Sequence, residues 1–247
     1  MELTVLGCSG TFPSADSPCS SYLLEHEGFR LLIDAGNGSI GALQRHVGLL
    51  DVDAVILSHL HADHCVDLVA YSYARRFHPA HPAPVPVYGP KATQDRLCQV
   101  FDQRPSDGLE DVYDFRTVAP GALEIGPFRM ELEQTNHPIE CFAMRVEAGG
   151  RTMTYSADTA ESEAVVHAAR EADLFLCEAT WLDGPDYPPN VHMRARDAGD
   201  HATKAGVGRL LLIHTIAYLD DMRALAEAAD AYAGPVSLAQ AGTTYQV

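Results

Sequence analysis

Short apolar, β-branched runs alternate with segments of helical periodicity along the whole chain. Strand-like runs fall at "ELTVLGC" (2–8), "SSYLLE" (20–25), "FRLLIDAG" (29–36) and "DAVILSH" (53–59), with "HEG" (26–28) as a hairpin turn between the second and third. Others are "VPVYGP" (85–90), "FRMELEQTNH" (128–137), "CFAMRVEAGG" (141–150), "RTMTYSAD" (151–158), "DLFLCEAT" (173–180), "RLLLIHT" (209–215) and "VSLAQAG" (236–242). Helical spacing predicts helices near 39–48, 63–77, 92–102, 161–171, 195–206 and 219–232. Interleaving of this kind predicts an α/β fold rather than strands and helices in separate blocks. The Pro-rich piece "HPAHPAPVPV" (78–87) is short and the alternation continues across it, so it reads as a loop rather than a linker, and the 247 residues read as a single domain, 1–247.

Polar chemistry gathers where predicted strands end. "VILSHLHADHCVDL" (55–68) packs His59, His61, Asp63 and His64 into six positions directly after an apolar run. His137, Asp158 and His214 each follow a further strand. The carboxyl edge of an open α/β sheet is where ligands bind, so groups scattered in sequence can converge there. Alternate side chains His59 and His61 would face one cation, and Asp63 and His64, where the chain turns into a helix, another. Four such groups buried without a metal would leave several polar atoms unpaired. Nitrogen and oxygen ligands without cysteine suit two divalent cations, zinc first, with manganese or iron as rivals. Two such cations about 3.5–4 Å apart can bridge a water, lower its pKa toward roughly 7 and clamp the oxygens of an in-line displacement. Asp63 has a further use, holding that nucleophile by a hydrogen bond. His26, His46, His167 and His201 follow no strand within a cluster and read as ordinary surface or core histidines, and His78 and His81 as solvated loop residues.

Charge narrows the substrate class. The formal charge is −17, so the surface as a whole repels phosphate backbones and argues against a nucleic-acid binder. Two dications, adding +4, bring it to −13 and leave a strongly positive local field that can still draw in a small anion. The opening "MELTVLGCSG" lacks the basic and apolar regions of a signal peptide, and no apolar run approaches a membrane span; the expectation is a soluble cytoplasmic protein. Its six cysteines show no C-x-x-C spacing and read as reduced thiols.

H-x-H-x-D-H followed by an isolated His, an Asp and a last His resembles the metallo-β-lactamase fold superfamily over nearly the whole chain. The resemblance implies a four-layer αβ/βα sandwich with a two-metal site on one edge. It gives His59, His61 and His137 to the first metal and Asp63, His64 and His214 to the second, with Asp158 bridging. "TVLGCSGTFP" and "LLIDAGNGS" resemble opening motifs of the tRNase Z and phosphodiesterase branch, where Asp34 would support the histidine loop from behind; the other reading of Asp34 is a cap on the "AGNGS" turn. "CEATW" (177–181) and "NVHMRARDAGDHATKAGV" (190–207) are similar to the Glu-Ala-Thr and His-x-Thr elements of the tRNase Z group, which pairs Glu178 with His192. A carboxylate beside a histidine favours imidazolium, which can protonate a departing alkoxide. One departure stands out. The family has Thr or Ser two residues after this histidine, a hydroxyl that can position phosphate or start the helix, where this chain has Arg194, which either takes over that task by charge or leaves it undone.

The tRNase Z enzymes carry a glycine- and basic-rich arm between the isolated histidine and the bridging aspartate. Here that interval is 21 positions, filled by two predicted strands and their turn. "SHLHADHCVDLVAYSYARRFHPAHP", with "IGALQRH" before it, looks most like the actinobacterial cyclic-nucleotide phosphodiesterases known from mycobacteria. That likeness implies hydrolysis of 3′,5′-cyclic AMP to 5′-AMP by a small-molecule enzyme acting as a homodimer, with Asp63, His192 and Glu178 as its catalytic groups and the "CSG" amides near Ser9 helping to hold the phosphoryl oxygens. Tyr73, Phe77, Trp181, Tyr187 and Tyr218 are candidates for stacking on the base. The alternatives are a tRNase Z-like RNA 3′-processing nuclease, which only "ARRFHPAHP" (74–82) supports with positive charge, a metal-dependent sensor without catalysis, and hydrolysis of a lactone, thioester or β-lactam.

Overall fold

A computed structural model describes residues 1–100 and 108–247. Fourteen strands form two seven-stranded sheets among the described residues. The first contains β1 (Glu2–Gly7), β2 (Ser21–His26), β3 (Phe29–Ile33), β4 (Ala54–Ile56), β5 (Val85–Gly89) and β6 (Tyr113–Thr117), with the C-terminal β14 (Thr244–Gln246) beside β1, in the order β14-β1-β2-β3-β4-β5-β6. The second contains β7 (Gly121–Ile125), β8 (Phe128–Gln134), β9 (Phe142–Ala148), β10 (Arg151–Tyr155), β11 (Leu174–Glu178), β12 (Leu210–Ile213) and β13 (Val236–Leu238), in the order β13-β12-β11-β10-β9-β8-β7. Strands β3 to β6 and β10 to β13 run parallel, so their carboxyl ends share an edge within each sheet.

Side-chain alternation places these sheets in layers. Tyr22, Leu24, Leu31, Ile33, Leu174, Leu176, Leu211 and Ile213 pack in one buried cluster between the sheets. Their neighbours Leu23, Leu32 and Val55 face the other way, against α1 (Ser39–Leu43), α3 (Asp67–Arg76) and α4 (Thr93–Val100). Phe175, Cys177, Leu210 and Leu212 face α5 (Glu163–Ala168), α6 (Ala195–Ala205) and α7 (Asp221–Ala231). The central strands therefore read as continuous apolar runs because both of their faces are buried. The result is the expected four-layer αβ/βα sandwich. Between β2 and β3, Glu27 and Gly28 both take positive φ, 49° and 81°, the signature of a two-residue turn whose twist matches its strands.

Several elements differ from the sequence expectation. The single helix expected over 63–77 is two, α2 (Ala62–Cys65) and α3, because the Asp67 amide donates to the Ala35 carbonyl (3.0 Å) instead of continuing the helical ladder. The Pro-rich loop ends at 84, and Val85, Pro86 and Val87 belong to β5. Strands β6, β7 and β14 were not expected at all. Residues 101 and 102 of the helix expected over 92–102 lie outside the described residues. All six cysteines are buried, and burial pushes the Cys19 and Cys65 thiols up to about 12. Among the described residues no helix is long and apolar enough to cross a membrane.

The strip after β3 fits tightly against the loop that carries the histidines. The Ala35 amide donates to the His64 carbonyl at 2.7 Å, and a Cβ on Gly36 would lie 2.0 Å from the Asp63 carbonyl oxygen. Gly36→Ala is therefore expected to lower stability by about 1–3 kcal/mol through overpacking. Urea unfolding checks this, and an unchanged midpoint would contradict the fit.

Candidate metal centre

The residues that the sequence scatters arrive together at the carboxyl ends of the strands. Asp34 follows β3, His59 and His61 stand on the loop after β4, and Asp63 and His64 lie in α2. His137 follows β8, Asp158 follows β10, Glu178 ends β11 and His214 follows β12. The turns are sharp. Asp34, Ala157 and His214 all adopt positive φ (56°, 52° and 56°), a conformation costly for non-glycine residues and concentrated here at the site.

Two donor sets result. In the first, His59 Nε2 and His137 Nε2 each lie 3.1 Å from His61 Nδ1, and Asp158 Oδ2 lies 3.5 Å from His59 Nε2. In the second, His214 Nε2 is 3.2 Å from Asp63 Oδ2, His64 Nε2 is 3.2 Å from Asp158 Oδ1, and His214 Nε2 is 3.5 Å from that same Asp158 oxygen. A tetrahedral cation with metal–nitrogen bonds of about 2.0–2.1 Å requires donor–donor edges of about 3.3 Å, which is the spacing found in both sets. Asp158 offers one oxygen to each. His64 Nε2 and Asp158 Oδ1 are buried without any hydrogen-bond partner, so a cation fits this donor chemistry where a hydrogen bond does not.

Hydrogen bonds behind the histidines fix which nitrogen faces inward. Asp34 accepts from the Ser58 amide (2.7 Å), the Ser58 hydroxyl (2.7 Å), His64 Nδ1 (2.8 Å) and the Tyr155 hydroxyl (2.7 Å). Having given its proton to Asp34, Ser58 Oγ must accept from His59 Nδ1 at 3.0 Å. Thr180 likewise donates to Glu178 Oε2 (2.7 Å) and accepts from His214 Nδ1 (2.9 Å), while His137 Nδ1 donates to the Val191 carbonyl (2.8 Å). Each of these four imidazoles so turns its Nε2 toward the centre. Asp34 thus supports the histidine loop rather than merely capping a turn. Sequence reasoning missed Ser58, Tyr155, Thr180 and the Val191 carbonyl; only the Ser and Thr adjoining the motifs "SHLH" and "EAT" signalled two of them.

Electrostatics follow the geometry. Burial, reinforced by nearby His64, lowers His59 to about 4, and burial also lowers His61 and His137, so the first set offers neutral imidazoles. Burial opposes protonation of His64 too, yet Asp158 and Asp34 on either side raise it well above its ordinary value. Asp63 resists the raising effect of burial because His214 and His64 hold its carboxylate far below the usual range, and its Oδ2 also accepts the Thr11 amide at 2.9 Å.

Beside the second set stands a different pair. His192 Nδ1 donates to Glu178 Oε1 at 3.0 Å and lies 4.0 Å from Asp158 Oδ2. Glu178, fully buried, also accepts from the Thr159 and Met193 amides. Burial would lower His192, but the Glu178 carboxylate outweighs it and raises the imidazole to about 9. Arg194 leaves the helix-starting task undone: Asp197 Oδ2 caps α6 by accepting the Arg194 amide at 2.9 Å. The expectation for the "CSG" amides is corrected. Ser9 and Gly10 donate to the Pro18 and Thr215 carbonyls (3.1 and 2.9 Å), so neither amide is available to a phosphoryl oxygen. Of the aromatic candidates, Trp181 stacks on Tyr187 near His192, Tyr218 stacks on exposed Phe12, and Tyr73 and Phe77 stack on each other on and just after α3.

The sequence profile described as a beta-lactamase superfamily domain matches residues 29–215. The chain belongs to the metallo-β-lactamase superfamily. An uncharacterized protein of Mycobacterium tuberculosis is 38% identical over 258 residues, covering 100% of this chain and 92% of that protein. The probable metallo-hydrolase YhfI of Bacillus subtilis is 31% identical over the full length of both, and its crystal structure superposes with a TM-score of 0.89 at 30% identity over 99% of each chain. Ribonuclease Z of Methanosarcina acetivorans is 26% identical over 90% of each. Family and donor set together make this metallo-β-lactamase-fold chain a metal-dependent hydrolase.

Asp34→Asn replaces an acceptor facing His64 Nδ1 with an amide donor and should weaken cation binding about 10–100-fold with the fold retained. Competition with a chromophoric chelator measures this, and unchanged affinity would remove Asp34 from its supporting role.

Proposed function

We propose that this protein is a two-metal phosphodiesterase that hydrolyses a 3′,5′-cyclic nucleotide, cyclic AMP, to the 5′-nucleotide. The observation that carries the reading is the Glu178–His192 pair, a proton donor held against two adjoining cation sites. His59, His61 and His137 would hold one cation, Asp63, His64 and His214 the other, and Asp158 both; zinc fits the nitrogen-rich donors best, with manganese and iron as rivals. Bound there, the cations supply Lewis acidity and a water acidic enough to act as nucleophile near neutral pH.

The residues themselves perform the rest. Asp63, with Oδ2 fixed by the Thr11 amide, is placed to align the attacking water. His192, anchored through Nδ1, has Nε2 free of any hydrogen bond among the described residues and delivers a proton to the departing 3′-oxygen. Glu178 orients that imidazole and keeps it protonated. A sensor would have no use for such a pair.

A ribonuclease Z-like activity is the second reading, favoured by the archaeal relative. Two observations weigh against it. The interval from His137 to Asp158 holds only β9, β10 and their Gly149–Gly150 turn, and the chain carries a net charge of −17. Neither leaves an obvious grip on a folded RNA, whose binding depends on phosphate contacts. The small substrate, a cytoplasmic setting and a homodimer belong to the same proposal.

Protein loaded with zinc or manganese is expected to convert cyclic AMP to 5′-AMP, followed by chromatography, and to leave precursor tRNA intact; turnover of the tRNA alone would reverse the choice. His192→Ala should lose about 10²–10⁴-fold on cyclic AMP but far less on bis(p-nitrophenyl) phosphate, whose leaving group needs no proton. Equal losses on both would exclude His192 as the acid. Because His192 must be protonated to act, activity falls as pH rises through its pKa, and Glu178→Gln removes the effect that raises it. The alkaline limb of the kcat profile should therefore move to lower pH, and an unmoved limb would contradict the pairing.

A further inference from the structure

A cavity of about 320 Å³ opens beside the proposed proton donor, lined among others by Glu161, Trp181, Tyr187, His192, Arg194 and Asp197. His192 belongs to both spaces. Its ring lies 5.6 and 5.1 Å from the rings of His137 and His214 on the cation side, and 5.5 Å from Trp181, nearly perpendicular to it, on the cavity side. A group that protonates the departing oxygen marks the side on which the departing half of the substrate lies. In this chain that side is the cavity.

Its chemistry is specific. Trp181 and Tyr187 stack 4.3 Å apart and 7° from parallel, a flat face against which a sugar ring or a base can pack. Around it stand hydroxyl acceptors, the carboxylates of Glu161 and Asp197, and donors on Arg194. Asn136 and Asn190, hydrogen-bonded to each other at 3.3 Å, also line it. Arg194 faces two carboxylates here, and the other basic group of the lining, His192, is already paired with Glu178. A neutral hydroxylated group is accepted, whereas a further phosphate is opposed. Arg194 occupies the position where the resembling enzymes carry Thr or Ser, and it is braced by its donation to the Pro185 carbonyl at 3.2 Å and by the Tyr187 ring, 5.9 Å away.

We infer that this cavity is the subsite for the departing half of the substrate and that it takes a nucleoside ribose without an additional phosphate, Arg194 donating to the ribose hydroxyls and Glu161 opposing the phosphate. The inference rests on the phosphodiesterase reading and deepens it. A cyclic nucleotide presents no second phosphate to the cavity, whereas the upstream half of an RNA strand presents one.

Trp181 is the single tryptophan of the chain, so its fluorescence reports on this cavity alone. Titrating metal-free protein with adenosine should change that emission saturably, and Arg194→Ser should weaken the apparent affinity about tenfold, the loss typical of one charged hydrogen-bond donor. Circular dichroism and the thermal midpoint check that the variant folds. In metal-loaded enzyme, the dinucleotide ApA should be cleaved with a higher kcat/KM than pApA, which adds a phosphate on the departing half. Glu161→Lys, at an exposed position, should narrow that gap chiefly through KM. Emission indifferent to adenosine, or ApA and pApA cleaved equally by wild type and both variants, overturns the inference. Absence of turnover on every diester would instead defeat the phosphodiesterase reading, while the fluorescence titration would still judge the cavity.

Discussion

Everything at this edge of the sandwich depends on histidine ring nitrogens being made to face one common space. Imidazoles left to themselves would turn a donor toward a neighbour's acceptor. Here His59, His64, His137 and His214 cannot, because each has its Nδ1 proton committed to a serine, a carboxylate, a carbonyl or a threonine behind it. Their Nε2 atoms are driven together with the carboxylates of Asp63 and Asp158, a concentration of negative charge that already favours a proton on His64 and that a cation can replace. A cation therefore finds donors already oriented and desolvated, and the binding free energy is not spent on arranging them.

Holding that arrangement needs both sheets. Asp34 belongs to the first and is hydrogen-bonded by Tyr155 of the second; Asp63 on the first side meets His214 of the second; Asp158, from the second, faces His59 and His64 of the first. The site is thus the seam where two sets of parallel strands end at a common edge. Strain is concentrated there as well, in the positive-φ turns at Asp34, Ala157 and His214, and the large apolar interior between the sheets is what over-determines them. The layered core is in this sense the support of the site.

How much of this the sequence disclosed follows from the range of the interactions. The histidine cluster is local, six positions long; β12 before His214 and the end of β10 before Asp158 are buried apolar runs, and β8 before His137 alternates buried with exposed residues, so each reads plainly as a strand. The edge strands were hidden because they are short and half exposed: β6 alternates charge with aromatics, and β14 is three residues that matter only through pairing with β1. The supporting hydrogen bonds were hidden because they are distant, 121 positions separating Tyr155 from Asp34 and 34 separating Thr180 from His214. The occupied amides of Ser9 and Gly10 could not be foreseen either, since their acceptors lie on loops that meet them only in the folded chain.

The deepest tension in the centre is electrostatic. Making a nucleophile from water requires positive charge, and the same charge opposes keeping a histidine protonated a few ångströms away. The fold separates the two demands by placing His192 on a carboxylate of its own. Glu178 is buried and accepts hydrogen bonds from two backbone amides, a threonine and His192, so its negative charge is stabilised by fixed dipoles and delivered to one imidazole. Thr180 joins this pair to the other half of the site, since its one hydroxyl donates to Glu178 while receiving the Nδ1 proton of His214. His192, through Glu178, and His214 are therefore both tied to the same side chain, so a change in one is felt by the other. A chain built only to bind metal would have no reason to maintain that coupling, which favours the proposed reaction over cation binding alone as the task of the buried Glu178.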